Sequence, residues 1–177
     1  MAVNRDKPDR WKADVDQSVD LYNDWFMRYA PETFKKTRIA VTVDVEKALK
    51  ASGNLQHLKP DLLRQHPDML SILRMCTCPP IAKDRLIGLA HARPNVVKVM
   101  EEKGVLPKQM PDAELKLELD KIIKIITRLL DEEIFCWLKK NRQATEKEVY
   151  RASTIVADRL STSIARPLIA AKAVEVA

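Results

Sequence analysis

Trp11, Val15, Val19, Tyr22, Phe26 and Tyr29 recur at intervals of three and four residues. That spacing puts all six on one face of a helix and on no single face of a strand. The same rhythm returns in Leu115, Leu119, Ile122, Ile126 and Leu129. Between the periodic runs stand prolines and glycines, which end or start helices. The punctuation predicts a helix over Trp11–Tyr29 closed by Pro31, and a second from a Thr42 cap to Gly53. Short helices follow over Pro60–His66 and Pro67–Met75, and the Pro79–Pro80 pair precedes another through Ala90. One more lies between Pro94 and Gly104, and the longest begins near Asp112. Thr145 and Glu148 form an S/T-x-x-E capping pattern for a last helix ending near Leu160. Alternating patterns are scarce. The expectation is an all-α, single-domain bundle of about seven to eight helices, several short, with no sheet of more than two strands. Residues 1–166 form its helical body, and 167–177 form an alanine- and valine-rich tail that reads as cut before a further portion.

Composition removes several classes. Apolar residues make up 46% and charged residues 32%, as in a folded chain long enough to bury a core. Three glycines and three phenylalanines beside abundant Leu, Ala, Lys and Glu favour helices over a sandwich or barrel. The first residues, MAVNRDKPDRWK, lack the apolar centre of a signal peptide. Lys124 and Arg128 interrupt the most apolar run far short of a membrane span. Three cysteines do not make a disulfide framework, so the expected compartment is the cytoplasm, with no membrane partner.

Charge is unevenly placed. Residues 69–100 hold five cations, Arg74, Lys83, Arg85, Arg93 and Lys98, against the single acid Asp84. Their net of +4 sits in a chain whose total is +6. A stretch both apolar and basic suggests a scaffold that holds cations toward something negative, and these five are the candidate phosphate ligands or base readers. The bland reading makes them ordinary solvated helix residues. Residues 112–135 run the other way, with seven acids and four bases, as expected of a helix facing solvent or a partner subunit.

Other constellations are weaker. Cys76 and Cys78 are closer than usual for zinc ligands and no second pair follows, so buried structural thiols are the expectation, with His57, His66 and Cys136 uninvolved. Trp25, Trp137 and Tyr29 are read as core anchors rather than base-stacking platforms. The nuclease pattern P-D…(D/E)-x-K has two imitations. One is Glu101-Glu102-Lys103 with Pro67-Asp68 upstream, and the other is Pro111-Asp112 followed by Glu114-Leu115-Lys116. The nuclease fold sets these carboxylates on neighbouring strands, whereas Pro94, Gly104 and the local spacing predict helices here. No catalytic residue and no metal ligand is assigned.

Four stretches carry a family resemblance: DRWKADVDQSVDLYNDWFMRYAP, RMCTCPPIAKDRLIGLA, MPDAELKLELDKIIKIITRLLDEEIFCWL and ATEKEVYRASTIVADRLS. Together they resemble the amino-terminal half of XamI-type restriction endonucleases, over residues 2 to 168. The resemblance implies part of a type II site-specific deoxyribonuclease of a restriction–modification system. It also implies Mg²⁺ for the full-length enzyme, with the nuclease core in a carboxyl-terminal half beyond this chain. The partners implied are double-stranded DNA and that missing half, with a homodimer left open. The chain alone is expected to be inactive. Against this stands a reading of another class: a helical interaction module that docks a protein along the seam from Leu115 to Leu129, with DNA uninvolved.

Overall fold

Proline and glycine set most of the helix ends. The computed structural model describes residues 7–176, with side chains to residue 173. Residues 1–6, part of the stretch read above as lacking a signal peptide's apolar centre, lie outside the described residues. The elements are α1 (Pro8–Ala51), α2 (Pro60–Gln65), a 3₁₀ turn (Pro67–Met69), α3 (Leu70–Met75), α4 (Lys83–Ala90), α5 (Pro94–Lys103), α6 (Asp112–Leu129), α7 (Cys136–Lys139) and α8 (Glu146–Val176). Among the described residues there is no strand, only one isolated antiparallel bridge between Thr77 and Leu130. The chain is all-α, as its periodicity predicts.

Two expectations about helix ends fail. The helices expected to stop at Pro31 and to restart at Thr42 are one helix, α1, with Pro31 inside it. The helix expected to end near Leu160 continues as α8 through Pro167 to Val176. A proline removes one backbone donor and crowds the preceding turn. At Pro31 the carbonyl that loses its partner belongs to Met27, which is 72% exposed, so water can take the place of the missing bond.

Gly53 and Gly104 do what their positions suggest. Both adopt positive φ, +57° and +63°, the left-handed conformation that costs glycine least. A Cβ on Gly53 would lie 2.5 Å from the His57 ring. Asn54 and Leu55 follow in the same left-handed region. The resulting turn is held by Asn54 N–H on Leu49 O at 2.8 Å and by the Trp137 indole on Asn54 O at 2.9 Å.

Two compact units are present, Met1–Ile39 with Ser161–Ala177, and Ala40–Leu160. The second holds the main core. α6 buries Leu115, Leu119, Ile122, Ile123 and Ile126 and packs on α2 and α4, while α5 packs on α3, α4 and the 3₁₀ turn. Phe135 and Trp137 meet edge to face at 5.6 Å in this core, joined by Val45 and Leu49 from α1 and Ala152 and Val156 from α8. Cys78 N–H on Leu129 O (2.8 Å) and Asp131 N–H on Cys76 O (3.0 Å) tie the segment after α3 to the end of α6. Arg159 closes the same knot, donating to Met75 O at 3.0 Å and to Asp131 Oδ2 at 3.1 Å.

In the first unit the burial is offset from the expected stripe. Trp25, Ala30 and Ala165 are buried, whereas Trp11, Val15, Val19, Tyr22, Phe26 and Tyr29 are all exposed. Trp25 and Trp137 are the core anchors expected of them, and Tyr29 is not.

The capping box at the start of α8 forms as predicted. Thr145 N–H donates to Glu148 Oε2 at 2.9 Å, and Glu148 N–H donates to Thr145 Oγ1 at 3.3 Å. Glu148 also accepts from Arg142 Nη2 at 2.6 Å and from the Cys136 thiol at 3.3 Å. The Arg142 guanidinium first, then the Thr145 amide and the Cys136 thiol, hold its carboxyl far below the usual carboxylate range. A depressed folded-state pKa stabilises fully above the unfolded value, roughly 4.3, and this is lost as pH falls through the folded value. Glu148→Gln should therefore be less stable at neutral pH and lose less stability on acidification. Urea midpoints across acid pH check this, and an unchanged acid limb refutes it.

Candidate functional site

The five cations of residues 69–100 have separate fates. Arg74, on α3, is 7% exposed and points inward. Its Nε donates to Glu101 Oε1 at 2.5 Å and its Nη2 to Glu101 Oε2 at 2.8 Å, a two-pronged pair in which both side chains are 9% exposed. Nη1 donates to Ile81 O at 2.5 Å, which uses the third edge of the guanidinium. Every guanidinium nitrogen of this buried arginine is already bonded within the protein, so the group is not presented to phosphate. The expectation that Arg74 reads DNA is corrected: it cross-links α3, α5 and the segment before α4.

The other four reach the surface. Lys83 opens α4 and meets Glu102 Oε1 at 3.2 Å, with a third of its side chain exposed. Arg93, just before α5, pairs with Glu114 Oε2 at 2.9 Å and remains half exposed, while its N–H donates to the buried Glu118 carboxylate at 2.7 Å. Arg85 on α4 and Lys98 on α5 are exposed, and no carboxylate among the described residues pairs with either. α4 and α5 pack on one another, so the two uncommitted cations stand on neighbouring helices.

The imitations of the nuclease motif are helical, as their flanking residues predict. Glu101, Glu102 and Lys103 close α5, and Asp112 and Glu114 open α6. Their carboxylates are already committed: Glu101 to Arg74, Glu102 to Lys83, Glu114 to Arg93, and both Asp112 oxygens to Arg64 Nη2 at 2.5 Å. Among the described residues no three His, Cys, Asp or Glu side chains converge to hold a metal ion. The described residues do not fit a Mg²⁺ site.

The remaining candidates divide. Cys76 is buried, and burial pushes its thiol up to about 12, as for an inert structural cysteine. Cys78 is exposed, against expectation, because Pro79 and Pro80 carry the chain outward there. The seam from Leu115 to Ile126 is buried in the core, with Leu129 packed against it. It therefore offers no docking surface, and the interaction-module reading loses the face it relied on. Sequence reasoning did not anticipate a cleft of about 610 Å³ lined by Gln56, His57, Glu132, Asn141, Arg142 and Gln143 among others. Its walls are two left-handed turns, at Gly53–Leu55 and at Asn141, joined by the Gln56 amide on Arg142 O at 2.7 Å. The glycine and asparagines were the visible signal, but only folding brings the two turns together.

Comparison with known proteins adds what geometry does not supply. The family model described as XamI restriction endonuclease matches residues 53–175. The type II restriction enzyme SalI of Streptomyces albus G is 41% identical over 167 residues, which cover 94% of this chain and 53% of the relative. The chain thus spans about half the length of that relative. No solved structure matches it.

The Arg74–Glu101 pair yields a stability test. Removing one member of a buried pair leaves the other charged and unsolvated, at a cost of about 3–5 kcal/mol, whereas replacing both with apolar groups is often tolerated. Glu101→Ala is expected to destabilise by that amount in urea titrations, and the double variant Arg74→Met/Glu101→Leu by much less. A Glu101→Ala cost under about 1 kcal/mol, the figure for a surface pair, contradicts this assignment.

Proposed function

The chain belongs to the XamI restriction endonuclease family, and from that premise we propose that it is the amino-terminal helical part of a type II site-specific deoxyribonuclease. In this reading it holds duplex DNA and packs against a Mg²⁺-dependent nuclease core outside these 177 residues. It works in the cytoplasm, beside the DNA. The hydrolytic step belongs to the core, and no residue of this chain is assigned to it.

One observation carries the DNA-holding role. Arg85 and Lys98 are exposed and uncommitted on two packed helices, within the stretch that holds +4 of the chain's +6. A cation already neutralised by a carboxylate must give up that partner before it binds phosphate, which ranks Lys83 and Arg93 below these two. Arg74 drops out. Each phosphate neutralised releases condensed counterions, so affinity falls with salt by about 0.9 log unit per log unit of salt per contact.

Replacing Arg85 and Lys98 together with alanine should flatten that slope by about 1.8. Lys83→Ala should change it less. Fluorescence anisotropy on a duplex across salt concentrations measures both. An unaltered slope in the Arg85→Ala/Lys98→Ala variant moves the contact elsewhere. Failure of the chain to bind any duplex at low salt ends the DNA-holding reading.

Cleavage is a separate test. The chain alone should not cut plasmid DNA with Mg²⁺, and a chain extended to the length of its relative should. Site-specific cutting by the chain alone, abolished by Glu101→Ala or Lys103→Ala, would make α5 part of an active site.

A further inference from the structure

Two loops far apart in sequence, residues 53–57 and 141–143, meet around one cleft. Each contains a left-handed turn, and the Gln56 amide on Arg142 O at 2.7 Å locks the two together. The Trp137 indole on Asn54 O ties the first loop to the core beneath it. Side chains on the rim therefore stand on fixed backbone. Asn and Gln number ten in the whole chain, and four of them, Asn54, Gln56, Asn141 and Gln143, lie in these two loops. Seven of the ten residues that line the cleft are polar, and the other three are Leu55, Leu130 and Leu138. A pocket for a small apolar ligand has the opposite balance.

The rim offers hydrogen bonds rather than charge. Arg142 lines the cleft, but its guanidinium is spent on Glu148. Asn141 and Gln143 are exposed, and among the described residues neither side chain has a hydrogen-bond partner. Glu132 on the same rim is exposed and unpaired among the described residues, so it repels a phosphate from the cleft and accepts from an amino group. Cations stand just outside. Lys139 and Lys140 directly precede Asn141, Arg128 follows Thr127, and all three are exposed without a carboxylate partner among the described residues. Free amides edged by free cations match the two kinds of contact that DNA recognition needs: phosphate contacts set position, and base contacts carry sequence. A side-chain amide is the group that meets adenine at both N6 and N7 in the major groove.

We propose that this cleft reads base sequence, with Asn141 and Gln143 bonding to adenine edges in the major groove while Lys139 and Lys140 hold the adjoining phosphates. The proposal rests on the DNA-holding reading and adds to it the place where sequence is recognised. Arg85 and Lys98 then contribute affinity without selectivity, and the two amides contribute selectivity.

The variant Asn141→Gly/Gln143→Ala removes both amides. Glycine suits the left-handed backbone at Asn141, φ 46°, where alanine would strain it. The 177-residue chain is mixed with a pool of duplexes carrying a randomised centre, and the bound duplexes are sequenced. The parent should enrich a sequence containing an A·T pair that the variant no longer selects. On the enriched duplex the variant should lose about tenfold or more in affinity, with affinity for a scrambled duplex unchanged. Gln143→Glu, which keeps the shape and loses the amide donors, should act in the same direction. Lys139→Ala/Lys140→Ala should do the reverse, lowering the salt slope by about 1.8 while selectivity is kept. All three variants should keep the parent's circular dichroism. A chain that binds the pool without enriching any sequence overturns the proposal and leaves the DNA-holding reading standing. So does enrichment that the amide variants share unchanged. A chain that binds no duplex at low salt ends both. If a chain of the relative's length, without DNA, exchanges amide hydrogens at residues 53–57 and 139–143 more slowly than this one, protein fills the cleft and the proposal fails.

Discussion

The pairing of Arg74 with Glu101 is the constraint on which the basic segment depends. A guanidinium withdrawn from water is tolerated only if its donors are met, and here a carboxylate takes two and Ile81 O a third. Meeting them requires α5 to lie against α3 with its last turn at Arg74, and it requires the Pro79–Ala82 segment to fold back over both. That placement sets where α4 begins, and so where Lys83 and Arg85 emerge. The residue that looked like the first DNA contact is the one that positions the others.

The same logic governs the surface charge. Glu101, Glu102 and Glu114, from α5 and α6, neutralise Arg74, Lys83 and Arg93 in turn. Net charge over a stretch of sequence is therefore a poor guide to the field it presents, because acids distant in sequence fold onto it. What remains for a polyanion is smaller and more sharply placed. The nuclease-like triplets belong to this account as well: their carboxylates are the counterions of the basic segment, already engaged on helices.

Membership of the XamI restriction endonuclease family and coverage of about half of SalI frame these features. The proposed role, a helical part that holds DNA beside a separate nuclease core, calls for a rigid core and a surface for the substrate. The unit from Ala40 to Leu160 has the first, in the packing of α6 against α2 and α4. The exposed stripe on α1 belongs to the other unit.

The all-helical class was legible in the sequence, because three-and-four spacing and proline or glycine punctuation act locally. So were the ends at Gly53 and Gly104, the capping box at Thr145 and Glu148, and the helical nature of the false nuclease motifs. Pro31 misled, since a proline's local cost does not reveal whether solvent can meet the orphaned carbonyl, and the end expected near Leu160 is overrun by α8. The left-handed turn at His91 had no glycine to announce it. Periodicity showed that the stripes at Trp11–Tyr29 and Leu115–Leu129 each share a face, but not that one lies inside and the other outside. Burial is a property of what packs on a helix, and ion pairing a property of which distant side chain arrives beside a charge. Tertiary structure alone decided both, and with them which cations of the basic segment remain free.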